Sequence, residues 1–511
     1  MLKNKQVLYL IAFSSYPVLF LYSNNYTSAF FIQIFSPILI AYTILGIGIL
    51  LLAAFNIKFK LSSDISFLIL VVFMSFFLYY GHLHYSLYNL DLAYVTVGND
   101  VINLGRNRYL LPLLLIICSA FIVIVIKLSA TKKITGFISF LTMILCFQQG
   151  VIIAYKSIKS HFNTAPLSNV EFNQQSPNPD NPDIYFIILD AYASSYTLSQ
   201  SFRYNNWTLS NFLTKKGFKM PENSHSNYPF TKFSLTSTLN FEHLNSSKYK
   251  YDENLFYYLK NNKLSNYLKA HGYNYYYFDT GYGYKKPEKN DFVISQSLST
   301  ENSSDNDFFS LFLNTTLFSI QINDLSQIKH KEFRQKINYA FDQLPKIASN
   351  GKLKFVFLHL SSPHPPYIFK EDGSDQKYVP EKSGFAKTAY LEQLKYITKK
   401  TQLAIEGILK NSPKEPIIIL QSDHGVSFDF GAQTDSRVLK DRFLILNAIY
   451  APTDLKKKFY PGITSVNTFR IILNEIFNEK MPLLNDKSYM TSQSPPFRYI
   501  DITDSLKANS K

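Results

Sequence analysis

The sequence predicts two parts: an N-terminal bundle of five transmembrane helices, and an α/β domain whose mostly parallel sheet is covered by helices on both faces. Three observations predict this. Apolar residues dominate the first 155 residues, whereas the rest is rich in Asn, Ser, Lys and Tyr. Beyond residue 180, the apolar runs IYFIILD (184–190), KLKFVFLHL (352–360) and PIIILQSDHG (416–425) each give way to polar residues, as strands buried on both faces do. Between the last two lies KTAYLEQLKYITKKTQLAIEGILKNS (387–412), whose apolar positions recur at three and four, a helical period.

Five segments are long and apolar enough to span a bilayer, at roughly residues 6–22, 33–55, 64–82, 109–127 and 134–154. The first is short and carries Pro17 in its interior. Lys3 and Lys5, Lys58 and Lys60, and Lys127, Lys132 and Lys133 fall on one side, which the positive-inside bias makes cytoplasmic. On the other side, loops 23–32 and 83–108 hold Arg106 and Arg108 as the exceptions. This places the N-terminus inside and everything after residue 155 outside the cytoplasm. No small-residue cleavage site follows the first apolar stretch, so a cleavable signal peptide is not expected. Tyr9, Tyr22, Tyr79 and Tyr80, at the span edges, read as interface anchors. The spans hold almost no ionisable residues, which disfavours a transport path. Proline and asparagine in QQSPNPDNP (174–182) deny regular structure. The expected division is therefore an anchor at 1–155, a linker at 156–182 and an outer domain at 183–511.

The net charge of +15 arises partly from Lys and Arg flanking the spans. No basic helix, zinc finger or stacking motif accompanies it, so nucleic acid is excluded as a partner. Cys118 and Cys146 both lie in apolar segments, so the outer domain has neither a disulfide nor a thiolate metal site.

In the outer domain, Asp190 closes the first strand as an abrupt charge after six apolar residues. Thr231 follows Pro229 in HSNYPFTKFSLTSTLNF (225–241), where Phe233, Leu235 and Leu239 have helical spacing. Its hydroxyl would then sit at a helix N-terminus, a place that favours anions and equally suits an ordinary threonine N-cap. LSNYLKAHGY (264–273) reads as a helix and the tyrosine-rich run after it as a strand. His359 ends the strand at 352–360, and His364 lies in a proline-fixed turn five residues later. Asp423 and His424 follow the strand at 416–421, and NTFRIILNEIFN (467–478) reads as a closing helix. Ligands in open α/β sheets sit beyond the carboxyl ends of the strands, where these six residues converge. A hydroxyl, two carboxylates and three imidazoles suffice for a metal-activated threonine.

With these residues in place, the chain resembles the membrane-anchored, sulfatase-like members of the alkaline phosphatase superfamily. These include lipoteichoic acid synthases and lipid A phosphoethanolamine transferases. The likeness covers the five-span anchor and nearly all of residues 182–480. IILD matches that family's first metal-ligand strand, Thr231-x-x-Ser234 its nucleophile position, LHLSSPHPPY its HxxGSHGPxY run, and SDHG its late Asp-His pair. The resemblance implies an alkaline phosphatase/sulfatase-like fold and a divalent metal, Zn or Mn, bound by Asp190, Thr231, Asp423 and His424. It makes Thr231 the nucleophile. His359 and His364 would contact the phosphoryl group, the leaving oxygen or a second metal. Three departures stand out. The run Thr-Lys-Phe-Ser-Leu lacks the proline and arginine of sulfatases, which disfavours sulfate-ester hydrolysis. Ala191 stands where sulfatases have a second Asp. Asp190 itself stands where the transferases usually have Glu.

The resemblance further implies a bacterial inner-membrane protein with a periplasmic or extracellular catalytic domain. Its donor would be a membrane phospholipid and its acceptor a surface glycan or glycolipid. Thr231 would take phosphoethanolamine or glycerol phosphate from the lipid and pass it on. Capture of the intermediate by water would make a phosphatase, phosphodiesterase or atypical sulfatase, and a degenerate site would make a non-catalytic membrane scaffold.

Overall fold

The computed structural model describes residues 2–26, 31–88, 94–97, 100–103, 105–127, 131–163, 178, 180–280, 291–295, 305–376, 379, 384–430, 435–492 and 495–507. Most of the expected linker, including much of QQSPNPDNP, lies outside the described residues. Contacts divide the chain into two compact units, one of residues 1–165 with 300–328 and one of residues 166–299 with 329–511.

The first unit holds five helices long and apolar enough to cross a membrane. They are α1 (Asn4–Asn24), α2 (Phe35–Phe59), α3 (Ser63–Tyr88), α4 (Asn107–Lys127) and α5 (Thr131–Asn163). Pro17 does not break α1, which runs unbroken across it. The first helix packs on α5, and polar contacts tie them: Ser23 Oγ donates to Gln149 Oε1 at 2.6 Å, and Lys156 Nζ to the Ser23 carbonyl at 2.6 Å. Gln6 Nε2 likewise donates to Asp64 Oδ1 of α3 at 2.9 Å. Polar pairs of this sort fix which apolar faces meet, because lipid offers no hydrophobic preference between helices. The helix Asp305–Thr315, remote in sequence, belongs to this unit and buries Phe308 and Phe312 in a cluster with Tyr22 and Phe77.

The second unit is built on a six-stranded sheet. Its strands are β1 (Ile184–Leu189), β2 (Asn274–Phe278), β3 (Phe292–Ile294), β4 (Lys354–Leu360), β5 (Ile417–Gln421) and β6 (Asn447–Tyr450). Their order is β3-β2-β4-β1-β5-β6, parallel throughout except for the antiparallel edge strand β6. All six residues of β1, the central strand, are buried, and alternate residues serve opposite faces. Tyr185, Ile187 and Leu189 join Leu394, Ile397 and Ile405 of α8 (Ala386–Asn411) in one core cluster. Ile184, Phe186 and Ile188 join a second cluster with Leu235 and Leu239 of α6 (Thr231–Asn240), Leu264 and Leu268 of α7 (Lys263–Ala270), and Phe469 of α10 (Ser465–Phe477). The period-two alternation of a pleated strand produces this division into two cores. A short helix, α9 (Ser436–Phe443), precedes β6.

Candidate active site

The register of the sheet sets the site's level. Ile188 of β1 pairs with His359 of β4 and with Gln421 of β5. Asp190 and Asp423 each lie two residues past those partners, so the two carboxylates leave the sheet side by side. The backbone locks them there. Ala191 adopts a left-handed φ of 56°, and its N–H donates to Asp423 Oδ1 at 3.1 Å. That conformation costs a non-glycine residue about 1–2 kcal/mol, a strain met at functional sites where the surroundings enforce it.

Thr231 reaches the carboxylates from α6. The N-cap of this helix is Phe230, with no side-chain cap, and Thr231 is its first residue. The hydroxyl is therefore not a capping group. It lies 3.3 Å from His424 Nε2 and 3.5 Å from Asp190 Oδ2. The helix is buried on nearly every side although seven of its ten residues are polar. Each of these hydroxyls is satisfied: Thr236, Ser237 and Thr238 donate to the carbonyls of Lys232, Glu242 and Ser234. Ser234 Oγ donates to the Asp423 carbonyl at 2.5 Å, tying the threonine helix to the Asp-His loop.

His424 is held by Nδ1, which donates to the Gly425 carbonyl at 2.9 Å and leaves Nε2 as the lone-pair nitrogen. Nε2 lies 3.4 Å from Asp423 Oδ2 and 3.7 Å from Asp190 Oδ1. Burial, reinforced by Arg442, lowers the His424 pKa to about 4 against the pull of Asp423 and Asp190, so the ring is neutral at neutral pH. Burial alone would raise the Asp190 carboxyl, but the imidazoles of His364, His359 and His424 outweigh it and hold it well below the usual carboxylate range. His359 Nε2 stands 3.4 Å from Asp190 Oδ2. The His364 N–H donates to the Asp190 carbonyl at 3.1 Å, and its ring centre lies 6.4 Å from that of His424. All six residues singled out in the sequence thus meet in one place.

The donor set fits a divalent metal. Ligand atoms of Asp190, Asp423 and His424 lie within 4.8 Å of one another, all buried. Asp190 Oδ1 and Asp423 Oδ2 accept no hydrogen bond among the described residues, and orphaned buried carboxylate oxygens are what a cation would satisfy. Mixed carboxylate and imidazole donors suit Zn or Mn.

Two participants carry no sequence signal. Gln393, fully buried on α8, staples the SSPHPPY turn. Its Nε2 faces the carbonyls of Pro363, His364 and Pro366 at 3.2, 3.2 and 3.5 Å, and its Oε1 accepts from the Ile368 and Phe369 N–H groups at 2.7 and 3.2 Å. Arg442, in the last turn of α9, places Nη2 3.4 Å from His424 Nε2. Burial draws its pKa down to about 10 against Asp423 and Asp190, so it stays cationic. Heptad, strand and motif patterns expose neither residue, because each acts through tertiary contact alone.

No family model matches the sequence, and no curated protein matches it. Among solved structures, the chain is similar to the C-terminal periplasmic domain of EptC from Escherichia coli in complex with Zn, at 12% identity and a TM-score of 0.44, covering 65% of this chain and 94% of that one. It is also similar to the integral membrane protein lipooligosaccharide phosphoethanolamine transferase A from Neisseria meningitidis, at 13% identity and a TM-score of 0.41, covering 91% of this chain and 95% of that one. A glycosaminoglycan-metabolism protein of Bacteroides thetaiotaomicron matches at 11% identity and a TM-score of 0.36, covering 63% of this chain and 84% of that one.

Proposed function

We propose that this chain is a metal-dependent transferase of the sulfatase-like group it resembles in sequence. It would move a phospho-head-group, phosphoethanolamine or glycerol phosphate, from a membrane phospholipid to a surface glycan or glycolipid through Thr231. One observation carries the reading: a buried threonine hydroxyl, freed from any capping role, stands 3.3–3.5 Å from His424 and Asp190 within a buried Asp-Asp-His set. Asp190, Asp423, His424 and Thr231 would hold the metal. When bound, it lowers the hydroxyl's pKa and draws charge from a phosphoryl oxygen.

The chain's own groups do the rest. The Thr231 oxygen forms the bond to phosphorus while the bond from phosphorus to the glycerol oxygen breaks, and diacylglycerol leaves with the electron pair. Asp190 lies within reach of the Thr231 proton, and His364, in the turn anchored by Gln393, is the group assigned to protonate the departing oxygen. An acceptor hydroxyl then reverses these roles and regenerates Thr231. The five apolar helices support a lipid donor, since they would keep the protein in the bilayer that supplies it.

The test is intact-mass analysis of the detergent-purified protein after incubation with Zn and either phosphatidylethanolamine or phosphatidylglycerol. A mass increase equal to one head-group phosphate, released diacylglycerol, and neither in Thr231→Ala is the expected result. No adduct and no diacylglycerol with any phospholipid would sink the donor assignment.

A further inference from the structure

The second unit holds a cavity that the metal cluster does not use. It has a volume of about 420 Å³, within the range of about 300–1,000 Å³ typical of small-molecule sites. Its walls come from residues 192–196, from the helix Trp207–Lys215 with Asn206 before it, and from residues 220–224 and 444–447. None of Asp190, Thr231, His359, His364, Asp423 and His424 lines it.

The walls are fixed before any ligand arrives. Lys219 and Ile449 of β6 exchange two backbone hydrogen bonds of 2.8 Å, and the Ile445 N–H donates to the Ser224 carbonyl at 3.1 Å. Residues 219–224 are thereby tied to the edge of the sheet. Ser224 Oγ donates to the Pro221 carbonyl at 2.9 Å and accepts from Asn447 Nδ2 at 3.1 Å. Asn206 Nδ2 donates to the Tyr192 hydroxyl at 2.7 Å. Preformed walls spare a ligand the entropy of ordering them.

The lining defines the ligand. Ser194, Ser210 and Ser224 supply hydroxyls, Asn206, Asn223 and Asn447 supply amides, and Leu209, Leu213 and Met220 supply apolar surface. Asn206 is 7% exposed, and its Oδ1 has no hydrogen-bond partner among the described residues, an unmet acceptor in the wall. Among the described residues no Lys, Arg or His lines the cavity, and Glu222 is its one charged group. An anion would meet a carboxylate there and no cation. A hydrocarbon chain would leave the hydroxyls and amides unpaired. A ring that carries hydroxyl groups around an apolar C–H face satisfies both kinds of surface. Tyr196, 36% exposed, adds an aromatic ring to the lining, and Lys440 Nζ, outside the lining, lies 5.8 Å from that ring's centre.

We propose that this cavity is a carbohydrate-binding site, separate from the metal cluster, that takes a neutral mono- or disaccharide unit. The sugar hydroxyls pair with the serine and asparagine groups, and its C–H face lies on the apolar and aromatic lining. No bond is made or broken, and the proposal stands whether or not Thr231 accepts a phosphoryl group. A free sugar and a sugar ring of a surface glycan offer the same groups, so the test includes both forms.

Trp207 is the single tryptophan of the chain, follows Asn206 directly and is 68% exposed, so its emission reports on this cavity. The full-length protein, in a detergent without a sugar head group, is titrated with glucose, N-acetylglucosamine, cellobiose, chitobiose and glucuronate. Binding is read both by Trp207 emission and by saturation-transfer NMR of the sugar. The expected result is saturable binding of a neutral sugar, equal with Zn and with a chelator, and at least about tenfold weaker binding of glucuronate. Tighter binding of the dimers assigns the cavity to a glycan chain, and equal binding assigns it to a free sugar. Ser210→Leu fills the cavity from a helix that accepts leucine well, and should weaken binding by about tenfold or more without lowering the melting temperature. Should that variant not fold, Tyr196→Ala, at an exposed position, decides by a severalfold loss. Binding seen by NMR alone supports the proposal when Ser210→Leu removes it. The proposal is overturned if neither readout detects binding of any neutral sugar, if binding requires Zn, if glucuronate binds as tightly, or if Ser210→Leu leaves the affinity unchanged. The Thr231 adduct is scored separately and judges only the transfer reading.

Discussion

Replacing Gln393 by leucine keeps its approximate volume and removes every hydrogen bond that its amide makes to the His364 turn. Three carbonyls (Pro363, His364 and Pro366) lose their donor, and two N–H groups (Ile368 and Phe369) lose their acceptor. The site is fully buried at Gln393, so water does not reach those groups from the side-chain position. Each buried group left unsatisfied costs about 1–3 kcal/mol, but the turn can relax toward the crevice and rehydrate some of them. A net loss of about 2–5 kcal/mol is the reasonable expectation. For a unit of this size that lowers the melting temperature by about 4–10 °C. The assay is thermal unfolding of the full-length protein in detergent, read by intrinsic fluorescence, beside a Gln393→Glu variant. Glutamate keeps the acceptor for the two N–H groups but turns a second oxygen toward three carbonyls, so it should melt below the wild type, and further below it at pH 8 than at pH 5. A Gln393→Leu protein that melts within about 1 °C of the wild type would refute the reasoning, since it would mean the turn is held by its prolines rather than by the amide.

Further outcomes follow from the same geometry. Excess chelator should lower the melting temperature, and Zn at a hundredfold excess over its dissociation constant should restore about 2.7 kcal/mol of stability; Asp423→Asn should show neither response. Glu242, just past the end of α6, accepts from Lys248 at 2.8 Å and from Tyr249, and lies 3.5 Å from Lys263. Burial raises its carboxyl pKa, but these partners outweigh burial and leave it below its ordinary value. A carboxyl lowered in the folded state stabilises above its unfolded pKa and loses that contribution as pH falls through the folded one. Glu242→Gln should therefore cost about 1 kcal/mol at pH 7, discounted for the group's partial exposure, and the gap to the wild type should close below about pH 4, as thermal melts across pH would show. Leu235→Ala, under the Thr231 helix, should cost about 2–5 kcal/mol in the same melts by opening a cavity between α6 and β1. Gly425→Ala should uncouple α9 from the Asp-His loop and weaken Zn binding, measurable by dye competition, because its Cβ has no room beside the Asp441 and Leu444 carbonyls.

The strands that build the site announce themselves because burial on both faces leaves a sequence no polar residue until the strand ends. Asp190, His359 and the Asp423–His424 pair are visible at those ends for that reason. The membrane helices are equally plain, since a bilayer demands length and apolarity and little else. Less was legible where meaning depends on partners. Thr231 reads alike as a cap or as a site residue, and only the position of Phe230 at the N-cap separates the two. The tyrosine-rich strand shows its β character but not its place between β4 and β3. The edge strand β6 is four residues long and antiparallel, too short for its period to stand out. Phe308 and Phe312 lie in the short apolar run FFSLFL (308–313), but their burial beside Tyr22 and Phe77 follows from contacts with helices more than 200 residues away in sequence. Local sequence, in short range, determined the element types, the strand ends and the membrane spans, because those follow from periodicity and hydrophobic length. The tertiary structure alone decided which ends meet, why Gln393 and Arg442 belong to the site, and why Gly425 is a glycine. Those depend on the distance between chain segments, which no local period encodes.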